Sequence, residues 1–222
     1  LSDFELGKQR LAAFSPDAKQ VAFVRDNNVF IVDLTSGKET QVTTDGERNN
    51  IINGATDWVY EEEFGKDNGI FWSPDGKFLA FYRFNESSVK EFSMPMYGQL
   101  YPEPFTFKYP KAGEDNARVN VFVYDTEQGK TRSVLNSKTE YIPRVKWGVD
   151  NEQLVLMTMN RHQNEMSILL GNCESAGAAG VMMKEVWTES CNTYIDITDD
   201  IRFVNGGKSF VMTSERDGYN HL

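Results

Sequence analysis

A turn recurs along this chain, and it restricts the fold more than any other feature. Each copy is an aromatic residue, then Ser-Pro-Asp-Gly or a variant, then a short apolar strand. Phe14-Ser15-Pro16-Asp17-Ala18 leads into Val21-Ala22-Phe23, and Trp72-Ser73-Pro74-Asp75-Gly76 leads into Phe78-Leu79-Ala80-Phe81. Looser copies start at Trp147, before Leu154-Val155-Leu156, and at Phe203, before Phe210-Val211-Met212. Proline presets the first φ of such a turn, aspartate caps it with its own side chain, and glycine accepts a positive φ. The β-branched and aromatic flanks read as strands, so each copy predicts a β-hairpin.

A second element follows in two copies. Val29-Phe30-Ile31-Val32-Asp33 runs into Gly37-Lys38, and Val121-Phe122-Val123-Tyr124-Asp125 into Gly129-Lys130. Two hairpins per repeat make a four-stranded antiparallel unit, which is a propeller blade. The expected fold is therefore all-β: a partial β-propeller of about four antiparallel four-stranded blades. The blade-like repeats fall near 1–50, 51–135, 136–195 and 196–222, the last one incomplete. The spacing exceeds a minimal blade, and the largest insertion lies within 86–116, rich in Tyr, Phe and Pro. Propellers close on themselves to avoid open edges, so a chain that begins and ends within blades reads as part of a larger ring. Such a piece is expected to self-associate through an unpaired edge. A complete four-bladed ring is the alternative, and the ends do not look like matched strands.

The chain has 222 residues with 33 acidic and 23 basic side chains, a formal charge of −10. No basic patch stands out against that charge, so nucleic acid is not an expected partner. No apolar run approaches the roughly 20 residues of a membrane helix, and the N-terminus lacks the pattern of a signal peptide. Cys173 and Cys191 complete no zinc pattern with another Cys or His. A disulfide between them and two unpaired thiols both fit the sequence. No metal or cofactor is expected.

The candidate site is the run Thr56-Asp57-Trp58-Val59-Tyr60-Glu61-Glu62-Glu63. Thr56 or Asp57 suits a helix N-cap, although Tyr60 stands where a capping box needs Glu or Gln. One short inserted helix is predicted over about 58–64. Successive helical residues point about 100° apart, so three glutamates cannot face one way, but two neighbours can converge on a small cation. Crowded carboxylates disfavour one another's ionised forms unless a cation approaches. A solvated acidic first turn, favoured by the helix dipole, fits the same run. Trp58, Tyr60 and Phe64 add anchoring that a merely solvated run does not need.

The stretch from Asn53-Gly54-Ala55-Thr56 to Glu63 resembles the substrate-binding helix of the dipeptidyl peptidase IV family. Trp72-Ser73-Pro74-Asp75-Gly76, Phe84-Asn85, Tyr109-Pro110-Lys111-Ala112-Gly113 with Asn116, and Ser214-Glu215-Arg216-Asp217-Gly218-Tyr219 match that family in order. The match is densest between about 53 and 125 and weakest between 160 and 200.

The resemblance implies an eight-bladed propeller stacked on a C-terminal α/β-hydrolase domain, in an exported serine exopeptidase. Such enzymes release N-terminal dipeptides with Pro or Ala second. It implies that Glu62 and Glu63 bind the α-ammonium of a peptide substrate with a free N-terminus, and that no cofactor is needed. It makes Tyr194 a candidate for an aromatic that extends the substrate pocket; a packed loop tyrosine is the other reading. It places a homodimerisation arm at 89–109, where Phe92, Met94, Met96, Tyr97, Leu100 and Tyr101 would be unusually apolar for a loop in water; the alternative is that they fold back onto their blade. This chain holds no Gly-x-Ser-x-Gly nucleophile elbow, so it is expected to recognise substrate and not to hydrolyse it alone. His162 and His221 therefore read as ordinary residues. The rival readings are a non-catalytic propeller that binds peptides or proteins, and a periplasmic propeller of the TolB type, which lacks the acidic run.

Overall fold

A computed structural model describes residues 4–135, 139–177 and 179–222. The first sheet is antiparallel, in the order β1 (Arg10–Phe14), β2 (Gln20–Arg25), β3 (Asn28–Asp33), β4 (Glu39–Gln41). The next stretch holds β5 (Ile51–Asn53), the helix α1 (Trp58–Phe64), β6 (Ile70–Trp72) and β7 (Phe78–Asn85). After the hairpin β8 (Glu91–Met96) and β9 (Glu103–Lys108) come β10 (Arg118–Asp125) and β11 (Lys130–Leu135). β7 is the hub: β10 pairs with one side of it, and β5 and β6 share the other.

A third antiparallel set runs β12 (Tyr141–Trp147), β13 (Gln153–Met159), β14 (Glu165–Asn172), β15 (Val181–Ser190). Two parallel rungs, Val134 to Val181 and Leu135 to Met182, join it to the second. The hairpin β16 (Arg202–Val204) and β17 (Ser209–Val211) begins a fourth. Successive four-stranded antiparallel sheets with one short helix are a partial all-β propeller.

The repeated turns owe their shape to one side-chain network made twice. Ser15 Oγ donates to Asp17 Oδ1 at 2.7 Å and accepts the Gln20 N–H at 2.9 Å. Ser73 Oγ donates to Asp75 Oδ1 at 2.6 Å and accepts the Phe78 N–H at 2.9 Å. The fourth turn residue is left-handed in both, φ 55° at Ala18 and 77° at Gly76. Only Ala18 carries a Cβ there, at a steric cost.

The repeated aromatics also tie sheet to sheet. Trp72 Nε1 donates to the Ala13 carbonyl of β1 at 3.1 Å, and Trp147 Nε1 donates to the Phe71 carbonyl of β6 at 3.0 Å. Each tryptophan thus reaches back one sheet from the same position in the repeat. The core lies between the sheets, where Phe78, Phe81, Tyr82 and Phe84 of β7 and Leu154, Leu156 and Met159 of β13 are fully buried. Cys173 and Cys191 are both free, which decides between the two readings of the sequence. Burial pushes the Cys173 thiol up to about 12. No helix among the described residues is long and apolar enough to cross a membrane.

Candidate functional site

α1 is a seven-residue helix, too short to hold its shape alone in water. Its ends are closed by side chains. Asp57 is the N-cap, its Oδ1 accepting the Tyr60 N–H at 3.0 Å. Thr56 Oγ1 donates to the Lys66 carbonyl at 2.6 Å, drawing the two ends of the segment together. Gly65 ends the helix in the left-handed region at φ 60°, where glycine carries no Cβ penalty.

Its buried face is Val59, Tyr60 and Phe64. The Tyr60 ring meets Phe84 edge-on at 4.8 Å, Phe64 at 4.9 Å and Tyr82 at 5.6 Å. Its hydroxyl accepts the Ile142 N–H of β12 at 2.7 Å. Trp58 packs against Tyr109 at 4.4 Å, and Phe64 against Tyr141 at 5.2 Å. The three aromatics anchor the helix from three directions.

With 59, 60 and 64 turned inward, Glu61, Glu62 and Glu63 are all exposed. Glu61 faces a groove with Arg10, Lys66 and Asp67. Its carboxyl is held above the usual range, mainly by partial burial; Arg10 opposes this, while Asp67 and Glu62 add to it. Glu63 lines a different cavity of about 350 Å³, with Trp58, Tyr109, Lys111, Asn116, Tyr141 and Arg161 around it. Among the described residues neither Glu62 nor Glu63 has a hydrogen-bond or ion-pair partner, so both carboxylates are open to a ligand cation.

Tyr194 is half exposed and lines an open cavity of about 430 Å³ with Glu189, Thr193, Asp196, Asp199 and Ser214. Tyr194 and Glu63 therefore stand in different cavities.

Two acids at the helix are buried: Asp57, whose capping role the sequence suggested but whose burial it did not, and Glu86, which the reading of the sequence missed. Burial lifts Asp57 to about 6, partly offset by its bond from the Tyr60 N–H, and Glu61 raises it further. Burial lifts Glu86 to about 7; the Asp57 charge adds to this and Lys108 opposes it. Nothing in the sequence marks Glu86. Its burial comes from its place at the root of the β8–β9 hairpin, where its carbonyl accepts the Val89 N–H at 2.9 Å. The carboxylate pair and its open faces suit a small organic cation. Among the described residues no group of three His, Cys, Asp or Glu side chains is arranged to hold a metal ion.

The family described as dipeptidyl peptidase IV (DPP IV) N-terminal region matches residues 3–222. A probable dipeptidyl-aminopeptidase B of Emericella nidulans is 34% identical over 241 residues, covering 97% of this chain and 26% of that protein. Dipeptidyl aminopeptidase B of Saccharomyces cerevisiae is 33% identical over 233 residues, covering 98% of this chain and 28% of that protein. The crystal structure of Porphyromonas gingivalis dipeptidyl peptidase 4 superposes with a TM-score of 0.89 at 43% identity, covering 99% of this chain and 31% of that one. The chain thus spans about a quarter to a third of the length of these proteins.

Proposed function

This chain belongs to the dipeptidyl peptidase IV family, within its N-terminal region, and on that premise we propose that it is the substrate-anchoring part of a serine exopeptidase. Glu62 and Glu63 bind the α-ammonium of a peptide with a free N-terminus. The observation that carries this reading is a contrast within one helix: its apolar side chains are fixed by packing, while two adjacent carboxylates stay exposed and unpartnered. Rigid placement of unpaired carboxylates is what recognition of an ammonium requires. A charge-assisted hydrogen bond contributes about 1.5–3 kcal/mol, so loss of either glutamate should cost roughly 10- to 100-fold in rate.

The anchored ammonium also acts as a ruler. It leaves room for two residues before the nucleophile of a hydrolase domain, and hence for release of dipeptides, with Pro or Ala second. Such positioning is a large part of catalysis. Tyr194, which lines a separate cavity from Glu63, extends the substrate pocket from that side. The protein acts outside the cytoplasm, as a homodimer in which the 89–109 arm takes part; the exposure of Tyr97, Leu100 and Tyr101 supports that role.

The test uses a full-length protein that carries this chain. Cleavage of a Gly-Pro-anilide is compared for the parent, Glu62→Gln and Glu63→Gln, with an N-acetylated substrate as control. The reading expects both variants, and the acetylated substrate, to lose most of the rate. Equal cleavage of blocked and free substrates would overturn it. An inactive parent that still binds peptides would leave a non-catalytic binding propeller.

A further inference from the structure

β12 does not pair regularly with β13. Tyr141 pairs with Met159 and Arg144 with Met157, so β12 carries one extra residue in a bulge at Ile142-Pro143. Bulges re-aim side chains, and proline inside a strand run is confined to such places. The bulge turns the backbone of Ile142 away from its neighbour and toward the tyrosines. Its N–H donates to Tyr60 Oη at 2.7 Å, and its carbonyl accepts from Tyr82 Oη at 2.6 Å.

Arg144, the next residue but one, reaches the other end of the same helix. Its Nη1 donates to the Phe64 carbonyl at 3.2 Å. Carbonyls of a last helical turn lack intrahelical partners, and a cation there opposes the helix dipole favourably. The same guanidinium grips Asp199 with two bonds, Nε to Oδ1 at 2.7 Å and Nη2 to Oδ2 at 3.2 Å. This fork-to-carboxylate geometry is the strong form of an ion pair. Arg144 is 12% exposed and Asp199 58% exposed, so the arginine is the fixed partner. Lys146 Nζ donates to the Asp199 backbone carbonyl at 2.5 Å and holds the loop from its other side. The Asp199 carboxyl is kept below the usual range, first of all by its hydrogen bonds from Arg144.

We propose that Arg144 is a positioning residue for the glutamate pair. By holding the Phe64 carbonyl and the Asp199 carboxylate together, it fixes the end of α1 next to Glu62 and Glu63 and joins it to the wall of the cavity that contains Tyr194. Arg144 touches no substrate; it acts through the helix. The inference rests on the ammonium-anchor reading for its effect on catalysis, and on packing alone for its effect on the helix.

The experiment is done on the full-length protein. Arg144→Met is compared with the parent, and again in a Glu62→Gln background, using Gly-Pro-anilide. A loosened anchor should raise KM by about tenfold or more, with kcat falling less. Because Arg144 acts through both glutamates, its effect should be smaller once Glu62 is Gln and only Glu63 remains to be positioned, since residues that share one function are not additive. Arg144→Lys should recover only part of the loss, because an ammonium lacks the two-pronged geometry. A fall in kcat at constant KM, equal in both backgrounds, would reduce Arg144 to a purely structural residue and overturn the proposal. Where Arg144→Met does not fold, Asp199→Asn, which weakens the same grip, takes its place with the same expectations.

Hydrogen exchange separates this proposal from the reading beneath it. Amides of 61–65 should exchange faster in the variant than in the parent; unchanged exchange overturns the clasp. Faster exchange together with an unaltered KM in Glu62→Gln keeps the clasp and discards the ammonium anchor.

Discussion

The segment between β5 and β6 folds into α1 and buries Val59, Tyr60 and Phe64, whereas the segment between β7 and β10 folds into the β8–β9 hairpin and leaves Tyr97, Leu100 and Tyr101 in solvent. Both are insertions into the same sheet, and both are rich in aromatics. The difference lies in what each can reach. α1 is drawn in by Thr56 and Asp57 and pressed between β7 and β12, so its aromatics find partners on two sheets. The hairpin pairs mainly with itself, Phe92 opposite Phe107 and Met94 opposite Phe105. It meets the body through Trp58 against Tyr109 at its root, and through Arg48 and Asn49 to the Thr106 carbonyl with Arg48 over the Phe105 ring. An insertion becomes a site when its apolar residues are used up in holding it still; otherwise they remain available for another surface.

Substitutions sharpen this contrast, and the largest effect belongs to the helix's support. Phe84 is fully buried and touches both Tyr60 and Tyr82. Phe84→Ala should destabilise the protein by about 3–5 kcal/mol, read from denaturant unfolding. Next comes Tyr60→Phe, which keeps the ring and removes only the acceptor of the Ile142 N–H; a buried donor left unpaired costs about 1–3 kcal/mol. A smaller loss would mean that the helix is held by its rings alone. Asp57→Ala removes the N-cap and should cost about 1 kcal/mol, whereas Asp57→Asn keeps an acceptor and should cost less.

The buried acid at the hairpin root gives a test by pH. Glu86 has a folded-state value raised from 4.5 to about 7, so the folded state binds the proton more tightly than the unfolded state does. The stability contributed by that proton is fully present below about 4.5 and is lost as pH rises through about 7. Glu86→Gln should therefore gain in melting temperature relative to the parent as pH rises across that window. A constant difference would show that Glu86 titrates normally. The smallest effect on stability belongs to the hairpin. Replacing Met94, Met96 and Leu100 together by Gln should change unfolding free energy by no more than about 0.5 kcal/mol per site. The same change should weaken self-association in sedimentation if the hairpin is the surface that pairs.

The sheets were legible in the sequence because their signals are local. A Ser-Pro-Asp turn dictates its own hydrogen bonds within five residues, as Ser15 and Ser73 both show. The helix at 58–64 was legible for the same reason: its cap, aromatics and terminal glycine are neighbours in sequence. The bulge at Ile142-Pro143 was not read from the sequence; Pro143 inside a strand run is the local signal that could have pointed to it, although not to what the bulge touches. What only the tertiary structure decided depends on residues far apart in the chain. Tyr60 meets Ile142, Arg144 meets Phe64 and Asp199, and Glu86 is closed over at the hairpin root. Hydrogen bonds across more than fifty residues leave no periodicity behind, and burial of a single carboxylate depends on how whole sheets pack. The order of residues thus set the strands, the turns and the acidic helix, while the packing of that helix through Tyr60 and Phe64 was set by strands distant in sequence.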